Sequence, residues 1–90
     1  MIVAKRFIVT GRVQGVGFRW FVNELAALEG AGGWVTNRPD GAVEALIQGE
    51  AEALARIERQ IRRGPPAARV ETVDVMDEPA SERLMPFVIR

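Results

Sequence analysis

The stretch GRVQGVGFRWF, residues 11–21, sets glycines at 11, 15 and 17 and an arginine at 19, where an apolar helical pattern begins. A glycine-rich turn ahead of a helix leaves several backbone N–H groups without acceptors in the chain, and such groups can converge on one anion. Arg19 falls in the first turn of that helix, where the dipole mildly disfavours a cation. An anion beside it would offset this cost, and the planar guanidinium can grip a phosphate through two parallel hydrogen bonds. The plainer alternative is a tight strand-to-helix connection with no ligand at all. Two familiar phosphate loops are excluded. No Lys-Ser/Thr pair follows the last glycine as in a Walker A loop, and neither the glycine spacing nor the surroundings fit a dinucleotide fingerprint.

Composition narrows the chemistry further. Ninety residues allow one domain, spanning 1–90, with a single core. Hydrophobic residues make up 48% and charged residues 27%, which argues against disorder. Twelve basic residues balance 12 acidic ones, so the basic excess that phosphate-backbone binding favours is missing and nucleic acid is not the expected partner. The sequence has no cysteine, which removes disulfides, thiolate metal sites and cysteine nucleophiles. It has no histidine, which removes the commonest general base and metal ligand. No apolar run approaches membrane-spanning length, and MIVAKRFIVT carries its charges too late for a signal peptide. A cytoplasmic monomer without membrane contact is expected.

The elements that must hold the loop follow from periodicity. IVAKRFIVT (2–10) is rich in β-branched and aromatic types and predicts a strand. Phe18, Phe21, Val22, Leu25 and Ala26 recur at helical spacing, predicting a helix to about Glu29, ended by EGAGG. WVTN (34–37) and AVEALIQ (42–48) predict two strands joined by the turn RPDG, where Asp40 can bond its own backbone. EAEALARIERQIRR (50–63) predicts a second helix, with acids at its start and arginines at its end to suit the dipole, and GPP stops it. ARVETVDVM predicts a fourth strand, DEPASERL a polar loop and MPFVIR a short last strand. The order β-α-β-β-α-β predicts an α+β domain of ferredoxin-like split βαβ type, an antiparallel sheet with two helices on one face. That fold hosts many activities and names none. Phe18, Phe21 and Trp34 are expected in the core, with Trp20 on another helix face and partly exposed. Asp74, Asp77 and Glu78 gather too few oxygen ligands for calcium and read as a solvated strand end.

The first motif, followed by GGWVTNRPDGAVEALIQG, resembles the acylphosphatase family, and GPPAARVETVDV and the ending FVIR resemble it too. The resemblance covers nearly the whole chain. It implies a small cytoplasmic enzyme of ferredoxin-like fold that hydrolyses carboxyl-phosphate anhydrides. Carried over by position, it implies that the loop Gln14, Gly15, Val16, Gly17 and Phe18 cradles the phosphate. Arg19 binds that phosphate, and Asn37 on the next strand orients the attacking water. Two departures stand out. LEGAGGWV is a looser approach to the second strand than the family's leucine-glycine pattern, and Thr36 stands where the family often has arginine. The first bears on how Asn37 is presented.

The residue types suit such a reaction. An acyl phosphate already carries a good leaving group, so the protein must neutralise phosphoryl oxygens and place a water in line. Arg19 and the loop can do the first, and an amide such as Asn37, both donor and acceptor, can do the second. No metal or cofactor is expected, since Arg19 supplies the positive charge. Inorganic phosphate, the product, is expected to inhibit. Duller roles compete. Asn37 before a turn often only caps it, and Gln14 often only braces a loop. Two other functions also compete: a phosphate- or carbamoyl-phosphate-binding regulatory module within a larger protein, and a nucleic-acid-binding ferredoxin-like domain. The second would want exposed sheet aromatics and a basic surface.

Overall fold

The computed structural model describes residues 1–81 and 86–90. Its elements are β1 (Ile2–Arg12), α1 (Phe18–Glu29), β2 (Gly32–Asn37), β3 (Val43–Glu50), α2 (Ala51–Arg63), β4 (Arg69–Glu78) and β5 (Phe87–Ile89). The strands form one sheet in the order β4-β1-β3-β2-β5. The first four pair antiparallel, as the split βαβ reading expects. The sheet as a whole is mixed, because β5 runs parallel to β2. Part of the expected polar loop and the start of the expected last strand, residues 82–85, lie outside the described residues.

Strand alternation decides which residues meet the helices. Phe7 pairs with Ala45, and Ala45 with Val35, and all three are buried. They join Val22 and Ala26 of α1 and Leu54, Ile57 and Ile61 of α2 in one core. No polar or charged residue among the described ones is buried. Val73 and Val75 of β4 pack against the same core, after a register shift opposite Thr10 and Gly11 re-aims the strand's start.

The same alternation corrects one expectation. With Val35 turned inward, Trp34 must face the other way. It lies half-buried on the open side of the sheet, with the Arg6 guanidinium 5.8 Å and the Arg90 guanidinium 4.8 Å from its ring centroid. Phe18 is buried as expected, its ring edge-on to Phe21 at 5.8 Å, and Trp20 is 63% exposed. The expected stop EGAGG does two jobs. Gly30 closes α1, donating its N–H to carbonyls of the last turn. Gly33 already belongs to β2, at φ +129°, where an added Cβ would sit 1.8 Å from the Leu46 carbonyl oxygen. Only glycine permits that approach.

Asp74, Asp77 and Glu78 show no metal-like convergence. Lys5 approaches Asp77 at 4.0 Å, and Arg6 pairs with Glu78 at 3.4 Å. Among the described residues no group of three acidic, histidine or cysteine side chains is placed to hold a metal ion.

Candidate active site

Sheet register brings the two halves of the site together. Val9 pairs with Val43, and Val43 with Asn37, so the end of β1 and the end of β2 lie at the same edge with β3 between them. Asn37 is two residues from Val35 and shares its inward face. The chain leaving β1 therefore enters its glycine loop beside Asn37 and starts α1 there.

The loop owes its shape to Gly15 (φ +74°) and Gly17 (φ +80°). Gly17 stands at the N-cap, immediately before α1, and with no side chain it caps none of the helix's first N–H groups. These donors have no partner inside a helix. No acidic residue stands in the first turn, where Arg19 sits instead. Gly15, Gly17, Phe18, Arg19 and Asn37 line one hollow of about 210 Å³. None of its lining residues is acidic, and Arg19 gives it a positive charge.

Two other loop residues contribute differently. Val16 turns its side chain to the core and Gln14 does not line the hollow. The Gln14 side-chain amide instead donates to the carbonyl oxygens of Arg38 (2.7 Å) and Ala42 (3.0 Å), tying the loop to the β2–β3 turn. Neither residue is among those that line the hollow. The brace was foreseeable as a role for Gln14, but its acceptors lie 24 and 28 residues away and no local pattern names them.

The turn after Asn37 is self-sufficient. Arg38 N–H donates to Ala42, Gly41 N–H to Arg38, and Ala42 N–H to the Asp40 carboxylate. The Ala42 N–H, and then the Arg38 guanidinium, hold the Asp40 carboxyl below the usual carboxylate range. Arg38 also approaches Glu44 at 3.7 Å, and Glu44 pairs with Arg6. The capping role expected of any residue here thus falls to Asp40. Among the described residues the Asn37 amide has no hydrogen-bond partner, which leaves its donors and acceptor for a ligand or water.

Arg19 is exposed and donates from Nη1 to the backbone oxygen of Arg90 at 3.1 Å. That oxygen is fixed because Arg90 N–H donates to Val35 at 2.8 Å, extending the β2–β5 pairing. Sequence reasoning missed three lining residues, Val13, Trp20 and Ile89. Ile89 reaches the hollow only through the parallel pairing of β5, which local periodicity does not encode.

Comparison with known proteins identifies the family. The acylphosphatase family profile matches residues 5–89. An acylphosphatase of Rubrobacter xylanophilus is 51% identical over 94% of this chain and 77% of its own length. The crystal structure of acylphosphatase from Bacillus subtilis superposes with a TM-score of 0.93 at 40% identity, covering 100% of this chain and 99% of that one. Full-length HypF in its phosphate- and nucleotide-bound form contains a similar unit, with a TM-score of 0.91 at 28% identity over 100% of this chain but 12% of that one. On its sequence and its fold alike, the chain belongs to the acylphosphatase family.

Proposed function

We infer that this chain hydrolyses acyl phosphates to a carboxylate and inorganic phosphate. The observation that carries the reading is the shared hollow, in which the uncapped start of α1, Arg19 and the unpartnered Asn37 amide meet. Loop N–H groups and Arg19 hold the phosphoryl oxygens and offset their charge. Asn37 orients a water opposite the departing carboxylate. The water oxygen bonds to phosphorus, the P–O bond to the acyl group breaks, and the carboxylate leaves with the bonding pair. With no histidine in the chain, a phosphoryl oxygen of the substrate accepts the water's proton. The products are the carboxylate and dihydrogen phosphate. Arg19 and the loop supply the positive potential, so no metal is assigned a step.

Product phosphate competes for the same cradle. We assign the chain to the cytoplasm as a monomer. Among the described residues no helix is long and apolar enough to cross a membrane. The likeness to a unit of HypF favours, as a second reading, a phosphate-binding module of a larger protein. The greater identity to acylphosphatases, 51% against 28%, ranks it behind.

Hydrolysis of benzoyl phosphate, followed by loss of ultraviolet absorbance with and without EDTA, tests the reading. Turnover that persists with chelator is expected. A chain that binds phosphate without turnover would support the module reading instead, and turnover restored only by magnesium would overturn the metal-free assignment.

A further inference from the structure

Trp20 and Ile89 are 63% and 41% exposed. Scattered exposed apolar residues are ordinary and need no explanation. These two are not scattered, because both line the hollow that holds Arg19 and Asn37. Met1, Ile2, Leu28, Met76 and Val88, also exposed, do not line it. The hollow is therefore lined both by polar groups, from Arg19, Asn37 and the loop, and by apolar side chains, of which Trp20 and Ile89 are the exposed ones beside buried Val13 and Phe18.

An acyl phosphate likewise has both kinds of surface, with an anionic phosphoryl group at one end and carbon at the other. At about 210 Å³ the hollow falls short of the roughly 300–1,000 Å³ of sites that enclose drug-sized ligands. With the phosphoryl group on the loop, a bulky acyl group must extend toward the exposed rim. Trp20 directly follows Arg19, and consecutive helical residues diverge by about 100°. Its ring thus flanks the arginine's position without covering it. Ile89 is held at the hollow by the pairing of β5 with β2, and the neighbouring Arg90 is tied to Arg19.

We propose that Trp20 and Ile89 form a subsite for the acyl portion, so that this enzyme prefers acyl phosphates with an aromatic or large aliphatic carbon group. The proposal rests on the hydrolase reading above. It makes Trp20 a specificity residue, with no part in holding phosphate or water.

Steady-state kinetics of wild type, Trp20→Ala and Trp20→Phe on benzoyl phosphate and acetyl phosphate test it, with phosphate Ki alongside. Trp20→Ala should raise KM for benzoyl phosphate about tenfold, the scale of one lost aromatic contact with its buried area. Acetyl phosphate KM and phosphate Ki should stay within about twofold, and Trp20→Phe should recover most of the benzoyl affinity. Equal losses on both substrates, or no loss on either, would overturn the subsite while leaving the hydrolase reading intact. A wild-type protein that turns over neither substrate would overturn the hydrolase reading and this one with it. Trp20 is exposed, so the variants should fold, and circular dichroism checks that they do.

Discussion

Gln14 Nε2 donates to the Arg38 carbonyl oxygen at 2.7 Å, joining the glycine loop to the residue that follows Asn37. With the companion bond to Ala42 at 3.0 Å, it fixes the distance between the two parts of the site that no strand pairing connects directly. Gln14→Ala loses both bonds, although each carbonyl keeps the N–H that it accepts within the turn. At about 1 kcal/mol each, the variant should be destabilised by about 2 kcal/mol and melt roughly 8–16 °C lower. Its kcat should fall about tenfold, because small misplacements of a water-positioning group are costly, while phosphate Ki changes little. Gln14→Glu should be worse, since a carboxylate faces two carbonyl oxygens. If Gln14→Ala kept its melting temperature and instead weakened phosphate binding, the side chain would be a ligand to phosphate and no brace.

Gly17 separates backbone conformation from space. A Cβ there meets no atom within 4 Å, yet the residue sits at φ +80°. Gly17→Ala should therefore cost about 1–2 kcal/mol through the left-handed backbone alone. Because Gly17 lines the hollow and stands at the N-cap of α1, any relaxation of that φ re-aims the N–H groups proposed to meet phosphate. Phosphate Ki should rise at least about tenfold. Thermal melting and inhibition measured on one preparation check this. A loss of stability with unchanged Ki would take the cradle away from this loop.

Asp40 links the β2–β3 turn to pH. The Ala42 N–H, and next the Arg38 guanidinium, favour its ionised form and lower its pKa on folding. A carboxyl with a lowered folded pKa stabilises fully above its unfolded value, near 3.9, and loses that contribution as pH falls through the folded value. Asp40→Ala should thus lower the melting temperature by a constant amount from pH 5 to 8. The difference from wild type should shrink below pH 4. A difference that grew on acidification would mean that the carboxylate is unfavourable in the turn.

Much of this was legible in sequence because the informative signals are local. The spacing of Phe18, Val22 and Ala26 marked α1, expected to run to about Glu29 and found over Phe18–Glu29, and Asp40 with Gly41 marked the turn. Arg19 stood out for lying against the dipole and the glycine loop for its free N–H groups, whereas the role of Asn37 came with the family resemblance. What remained hidden depends on long-range pairing. WVTN has two alternation phases, and only pairing with β3 turns Val35 and Asn37 inward and Trp34 out. A three-residue strand such as β5 has too short a pattern to declare its parallel partner, so Ile89 and the Arg90 acceptor for Arg19 could not be foreseen.

Arg19 and Asn37 share the hollow but should fail in different ways when replaced. Arg19 is proposed to meet phosphate in both the ground state and the transition state, so its loss should weaken binding and chemistry together. Arg19→Lys should rescue little, since an ammonium keeps the charge and loses the two-pronged contact. It also loses the present geometry of the bond to Arg90, but that bond is exposed and its loss should change stability by only about 0.5 kcal/mol. Asn37 is proposed to hold only the water, and its amide closes no part of the turn. Asn37→Ala should lower kcat on the order of 10²-fold, the scale for one oriented donor, with phosphate Ki near wild type. The measurements are kcat and phosphate Ki for both variants, with circular dichroism to show that each is folded. A folded Asn37→Ala enzyme that kept most of its kcat would remove the water from Asn37 and leave that residue no part in the chemistry.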